Sequence, residues 1–273
     1  MLRTTTRPQV RRGTSTNGME HVTWGEGPKT LLFVQGGPGS TVPRGRVALA
    51  GTRRLFAPYV AAGYRVTMAT RRRHMPSGYT VAEMADDHAG LITEVLGGRA
   101  DLVVGESYGG MIAQYLAALH PACLGHLALI ATGCRLSSWS DELDARLIAA
   151  LETGDLRAAA VVFSEELLPG RSTGLLRRLL APLLARRMVP VDDVLTETRA
   201  DLTYDARPLL PGIQAPTLLV CGDRDRFFTR EIVEETAGLI PGCELVWKRG
   251  KGHVGATASR GIPREVLAFV ERS

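Results

Sequence analysis

DLVVGESYGGMIAQYLAALHP, residues 101–121, sets a serine between two unlike halves. Leu102, Val103 and Val104 form a short β-favouring run without polar alternation, the pattern of a strand covered on both faces. Met111, Ile112, Tyr115, Leu116 and Leu119 then recur at intervals of three and four residues until Pro121 stops them, which is helical spacing with its stop signal. Between the halves stand Gly105-Glu106-Ser107-Tyr108-Gly109-Gly110, whose small residues let backbone cross close to a strained serine. Five residues of GxSxG alone are a weak pattern. Strand, GxSxG and helix in immediate succession predict a sharp turn that holds Ser107 up at the edge of a sheet as a candidate nucleophile.

The rest of the chain repeats the strand–helix rhythm. Strand candidates lie at residues 31–35, 64–68, 102–105, 127–131, 217–221 and 244–247, with helical patterns between most of them. That alternation implies an α/β fold with a mainly parallel sheet and helices on both faces. Residues 1–18, rich in Thr, Arg and Gly, read as a loose tail or an edge strand. From Gly133 to Pro211 the alternation stops, and helices are expected at 141–151, 155–168, 172–187 and 191–202. A helical block inserted between two strands of a parallel sheet reads as a cap over the strand ends, where ligands bind in open α/β sheets. The organisation expected is a core domain in two parts, 1–133 and 212–273, with a helical cap at 134–211.

A serine nucleophile needs a base to take its proton and a carboxylate to orient that base. PTLLVCGDRDRFF supplies a buried strand ending at Gly222, with Asp223 and Asp225 in the turn. ELVWKRGKGHVG then supplies a last strand followed by His253 in a glycine-rich loop. Asp225, three residues past Gly222, has the reach to meet that loop, which leaves Asp223 to hold the turn through backbone amides. Among the other histidines, His88 sits on the helical stripe Met84, His88, Leu91 and Val95 and reads as a core residue. His21, His120 and His126 fall at turns or element ends, and His74 belongs to an arginine-rich loop. An oxyanion also needs donors aimed at it. The Tyr108 amide, next after the nucleophile, is one candidate; the Gly37 amide, in LLFVQGGPGS after the first inner strand, is the other.

With 273 residues, 45% apolar and 22% charged, the chain suits one α/β domain with an insertion. No run of eighteen apolar residues and no secretory leader is apparent, so a cytoplasmic protein with no membrane partner is expected. Cys123, Cys134, Cys221 and Cys243 lack CxxC spacing and are expected as buried free thiols, with no metal site. The net charge of +5 comes from scattered arginines, since lysine occurs only at 29, 248 and 251. Such scatter argues only weakly for nucleic acid, and no nucleic-acid partner is expected. The expected partner is a small-molecule substrate; nothing in the sequence addresses the oligomeric state.

With QGGPG, GESYGG, GDRD and GKGH in this order, the chain resembles the α/β-hydrolase superfamily, in the branch of cofactor-free serine esterases and lactonases with a helical cap. The resemblance covers about residues 20 to 272. It implies a triad of Ser107, Asp225 and His253, an oxyanion hole at Gly37 and Tyr108, no cofactor and no metal. Gln35 stands where the family often has a histidine, which keeps the backbone donor but changes a supporting contact. MATRRRHMPSG replaces the acidic residue and Arg-Gly turn often found after the next strand. Ser107 separates the chain from haloalkane dehalogenases and epoxide hydrolases, which use an aspartate there. GGPG is similar to the proline iminopeptidases, although their preceding histidine and tryptophan-containing elbow are missing.

The function expected is hydrolysis of a small ester or lactone through an acyl-enzyme. A carbon–carbon bond hydrolase, an acyl transferase or an aminopeptidase could use the same residues, and a slow-turnover ligand-binding or signalling homologue could keep them. Gln35, Arg72 and Trp139 are the candidates for substrate contact. Of Arg71, Arg72 and Arg73, one or two at most could point toward the strand ends and favour an anionic substrate.

Overall fold

The computed structural model describes residues 10–167, 173–186, 188 and 190–273. Among the described residues eight strands make one sheet: β1 (Arg11–Thr14), β2 (Glu20–Trp24), β3 (Lys29–Val34), β4 (Tyr64–Ala69), β5 (Ala100–Glu106), β6 (Leu124–Ile130), β7 (Thr217–Gly222) and β8 (Glu244–Lys248), in the order β1-β2-β4-β3-β5-β6-β7-β8. β1, β2 and β4 pair antiparallel, and β3 to β8 run parallel. All six strands read from the sequence are present. β1 realises the edge-strand reading of the N-terminal region, whereas β2 was not anticipated. It pairs antiparallel with both of its neighbours, β1 and β4, so it sits outside the strand–helix rhythm on which the sequence reading relied.

Helices α1 (Arg46–Ala61), α2 (Val81–Leu96), α3 (Tyr108–Leu119), α8 (Arg230–Leu239), α9 (His253–Thr257) and α10 (Ile262–Val270) accompany the sheet. Four more, α4 (Ser138–Glu152), α5 (Leu156–Leu167), α6 (Gly174–Ala185) and α7 (Val191–Asp201), fill the interval between β6 and β7. The expected helix ends at Leu168, Ser172 and Arg187 lie outside the described residues. Local chemistry sets the boundaries. At the start of α2 the Thr80 hydroxyl accepts from the Glu83 amide at 3.3 Å, while the Glu83 carboxylate accepts from the Thr80 amide at 2.8 Å. This reciprocal cap satisfies donors that the first helical turn would otherwise leave open.

Because helices cover both faces, the inner strands are mainly apolar, and β7 is buried along its whole length. One core, including Leu32, Ile112, Leu116 and Leu129, lies on the α2–α3–α8 face; a second, including Leu31, Phe56, Val104 and Phe269, lies on the α1–α10 face. The inserted helices have a separate small core built on Leu147, Leu151, Ala159 and Val194. The register places Val34, Ala69 and Gly105 side by side, followed by Glu106 beside Ile130 and Gly222 beside Lys248. The carboxyl ends of the parallel strands therefore form one edge, and the loops carrying the candidate residues leave from it.

Candidate active site

Ser107 follows β5 directly and precedes the first residue of α3. Its φ of 52° and ψ of −120° lie in a region unfavourable to a side chain. The surroundings impose that geometry: the Ser107 amide donates to Ile130 O at 2.9 Å, and its carbonyl accepts from the Gly110 amide at 2.7 Å. Gly109 is indispensable to the approach, since a Cβ there would sit 2.1 Å from Val34 O. The helix can therefore enter close against β3 only with glycine at this turn.

Asp225 and His253 arrive from neighbouring parallel strands. Asp225 Oδ1 accepts from the amides of Phe227 (2.9 Å) and Phe228 (3.2 Å), which aims Oδ2 at His253 Nδ1, 2.8 Å away. With Nδ1 donating to that carboxylate, Nε2 keeps a lone pair, and it faces Ser107 Oγ at 2.8 Å. The rings of Phe227 and Phe228 pack on the imidazole with centroids 4.8 and 6.0 Å away. This fixes the ring plane and shields the Asp225–His253 link, whose side chains are 0% and 10% exposed. Asp223 Oδ1 instead accepts from the Gly250 amide and ties the β7 turn to the β8 turn. The two acids thus have different surroundings, and Asp225→Asn is expected to lose far more turnover than Asp223→Asn, because only the former disturbs the histidine tautomer. Steady-state kinetics of the two variants on one ester checks this; a larger loss at Asp223 reverses the assignment.

A cavity of about 210 Å³ opens over these groups. Ser107, His253, Gly37 and Tyr108 line its floor, with Glu106 beside the serine. Among the described residues neither the Gly37 nor the Tyr108 amide donates to a protein acceptor. Gly37 adopts φ 76°, a left-handed conformation that glycine takes without strain. Burial pushes the Glu106 carboxyl up to about 7, with His253 acting in the opposite sense. The walls come from the inserted helices: Leu143, Asp144 and Leu147 of α4, Phe163 of α5 and Asp201 of α7.

The three residues expected to touch substrate do not line this cavity. Gln35 Nε2 donates to Ala69 O at 2.6 Å, and its Oε1 accepts from the Thr41 amide at 3.4 Å, so it braces the QGGPG loop from behind. Trp139 packs edge-on to Phe227, with the Arg226 guanidinium 3.9 Å over its ring, outside the wall. Arg72 is directed to Asp87 and Tyr79. In the arginine run it is Arg71 that turns inward, and it meets protein: Nε and Nη2 donate to Glu197 of α7 at 2.7 and 3.0 Å, Nη1 to Gln35 O at 3.0 Å and Nη2 to Gly37 O at 2.9 Å. Burial works against the guanidinium charge, but Glu197 outweighs it and the net shift is upward. Glu197 Oε2, which receives the Nη2 bond, also accepts from the Gly39 amide. Arg71 and Glu197 together bind the QGGPG loop to α7.

Sequence reasoning missed Arg71 as an anchor, Glu197, Asp144 and Asp201. The RRR run was a visible signal for the first, but it did not say which side chain points inward. His88 is buried with Nδ1 2.6 Å from Met84 O, and burial pushes it down to about 4, so it is a neutral core residue. All four cysteines are free, with Cys134 and Cys221 buried and Cys123 and Cys243 partly so. Among the described residues no helix is long and apolar enough to cross a membrane.

Comparison with known proteins adds to this geometry. The model of the family described as Alpha/beta hydrolase family matches residues 31–261. A curated protein of Yersinia enterocolitica named "Putative carbamate hydrolase RutD" is 29% identical over 222 residues, 75% of this chain and 78% of that one. The crystal structure of the enol-lactonase from Burkholderia xenovorans LB400 superposes with a TM-score of 0.74 at 21% identity, covering 96% of this chain and 100% of the other. The esterase EaEST from Exiguobacterium antarcticum gives a TM-score of 0.71 at 20% identity, over 95% and 98% of the two chains. At those identities the two structures bear on the fold.

Proposed function

From the premise that the chain belongs to the alpha/beta hydrolase family, we propose that it is a serine hydrolase acting on a small ester or lactone. The reading is carried by the unbroken donor chain Asp225–His253–Ser107, each link 2.8 Å, beneath a closed-in cavity. His253 Nε2 takes the proton of Ser107 Oγ as the oxygen attacks the carbonyl carbon. The tetrahedral oxyanion is received by the Gly37 and Tyr108 amides, whose hydrogens have no competing protein acceptor among the described residues. Protonated His253 then gives its proton to the leaving oxygen, and an acyl group remains on Ser107. Water, deprotonated by the same nitrogen, releases the acid.

Residues 134–211 serve as the cap in this reading: α4, α5 and α7 supply the acyl-pocket wall, and the two core segments supply the chemistry. A carbamate carbonyl would enter by the same attack, in keeping with the name of the Yersinia relative. The test is a panel of activated short-chain esters, lactones and carbamates, followed by rapid acid quench and mass spectrometry of the protein. Many turnovers per protein and an added acyl mass on the peptide containing Ser107 are expected. Turnover without any covalent acyl species under single-turnover conditions would exclude the mechanism.

A further inference from the structure

One wall of the cavity has no part in the chemistry above. Ser140 and Asp144 stand four residues apart on α4, so they share a helix face. Ser140 is fully buried and Asp144 is 6% exposed, yet both face the cavity. Asp201, at the end of α7, faces it as well. The Ser140 hydroxyl and Asp201 Oδ1 are buried without a hydrogen-bond partner among the described residues. Buried polar atoms are ordinarily paired, and those left open inside a cavity mark where a ligand atom completes the set.

The chemistry of that set is one-sided. Two carboxyls and a hydroxyl are all able to accept hydrogen bonds, and the carboxyls are held in mutual repulsion away from water. Arg71 is a described cation that acts on Asp201, but its guanidinium is committed to Glu197 and to two loop carbonyls. Burial pushes the Asp144 carboxyl up to about 7, and burial together with Asp144 and Glu197 drives Asp201 well upward. Both shifts are what an acid pair shows when its compensating cation is missing.

We infer that Ser140, Asp144 and Asp201 form a recognition subsite for a protonated amine, so that the preferred substrate is a compact ester or related acyl compound bearing an ammonium group a few bonds from its scissile carbonyl. A primary ammonium has three N–H donors, and this wall offers two buried unpaired oxygens, the Ser140 hydroxyl and Asp201 Oδ1, with the Asp144 carboxyl beside them. The cavity of about 210 Å³ holds the serine floor and the acidic wall together, which restricts the link between carbonyl and nitrogen to a short chain. A carboxylate-bearing substrate, which an inward-pointing arginine could have favoured, would bring a third carboxyl against these two. The inference rests on the serine-hydrolase reading for its placement of the carbonyl, but the cation site is defined by its own residues.

Two measurements keep the two readings apart. The first compares 4-nitrophenyl esters of a short ω-ammonio acid and of the isosteric uncharged ω-methyl acid, on the parent protein and on Asp144→Asn and Asp201→Asn. The parent is expected to favour the ammonium ester by tenfold or more in kcat/KM, mainly through KM, and each Asn variant to bring that ratio to within about threefold of unity. The second measures binding of the matching non-hydrolysable methyl ketones, ammonium and neutral, to the Ser107→Ala protein by calorimetry. Tighter binding of the ammonium ketone, weakened by added Asp201→Asn, supports the subsite even if neither ester is turned over, a result that would sink only the hydrolase reading. Equal binding of both ketones, or an ammonium preference that survives both Asn substitutions, overturns the subsite.

Discussion

Ser107→Ala is expected to fold as the parent does and to lose turnover by about 10⁴ to 10⁶, because nucleophile, base and acid act as one unit. Folding should survive since the Ser107 hydroxyl contributes its 2.8 Å link to His253, whereas the turn is held by backbone bonds to Ile130 and Gly110 that alanine retains. The unfavourable φ of 52° is equally unfavourable for alanine, so no relief of strain confuses the comparison. The check is the rate on the best ester of the panel, with circular dichroism and the unfolding midpoint as controls. A Ser107→Ala protein that keeps near-parent turnover of every accepted substrate would remove Ser107 from the reaction.

Arg71→Met is expected to destabilise the protein by about 3–5 kcal/mol, the range for removing one partner of a buried ion pair. Arg71 is 2% exposed and Glu197 1%, so neither charge can fall back on water. Loss of the guanidinium leaves the Glu197 carboxylate with the Gly39 amide and strips Gln35 O and Gly37 O of their donors. Activity should fall too, because the freed carbonyl belongs to Gly37, whose amide is proposed to receive the oxyanion. Lysine is no substitute: its single ammonium cannot span a carboxylate and two carbonyls in the fork geometry that guanidinium provides. Urea unfolding of Arg71→Met, Glu197→Leu and the double variant gives the coupling directly. The double variant is expected to lose much less than the sum of the singles, since it removes both charges at once. Additive losses would mean that the pair is not coupled.

The layout of the sheet and the donor chain were legible because steric rules leave few options at those places. A Cβ at position 109 would strike the Val34 carbonyl, so the glycines around Ser107 report a crossing that periodicity alone would not locate. Asp225 and His253 follow strands whose apolar runs are unmistakable, β7 above all. The cavity wall was illegible for the opposite reason. In SWSDELDARL, Asp141, Glu142 and Asp144 look alike as solvent-facing acids on a helix, and only the packing of α4 on α7 buries the last of them. Arg71 was hidden among three identical neighbours, and its partner lies 126 residues away on a different layer. Trp139 looked like a pocket aromatic, yet the helix start turns it onto Phe227 and Arg226.

The span of chain between Ser107 and His253 has a consequence for how the protein comes into being. The two side chains that must touch are 146 residues apart in sequence, and α4 to α7 with their private core lie between them. Closing so long a loop is slow compared with forming helices, whose contacts are local. β7 and β8 are the last strands in the chain and add at one margin of the sheet, and it is their turns that deliver Asp225 and His253. Local helix contacts are therefore expected to form ahead of the Ser107–His253 contact in a chain emerging from synthesis or recovering from denaturant. On the proposed mechanism the Ser107 hydroxyl gains its base only once the β8 turn has docked, so competence for acyl transfer would follow completion of that margin of the sheet.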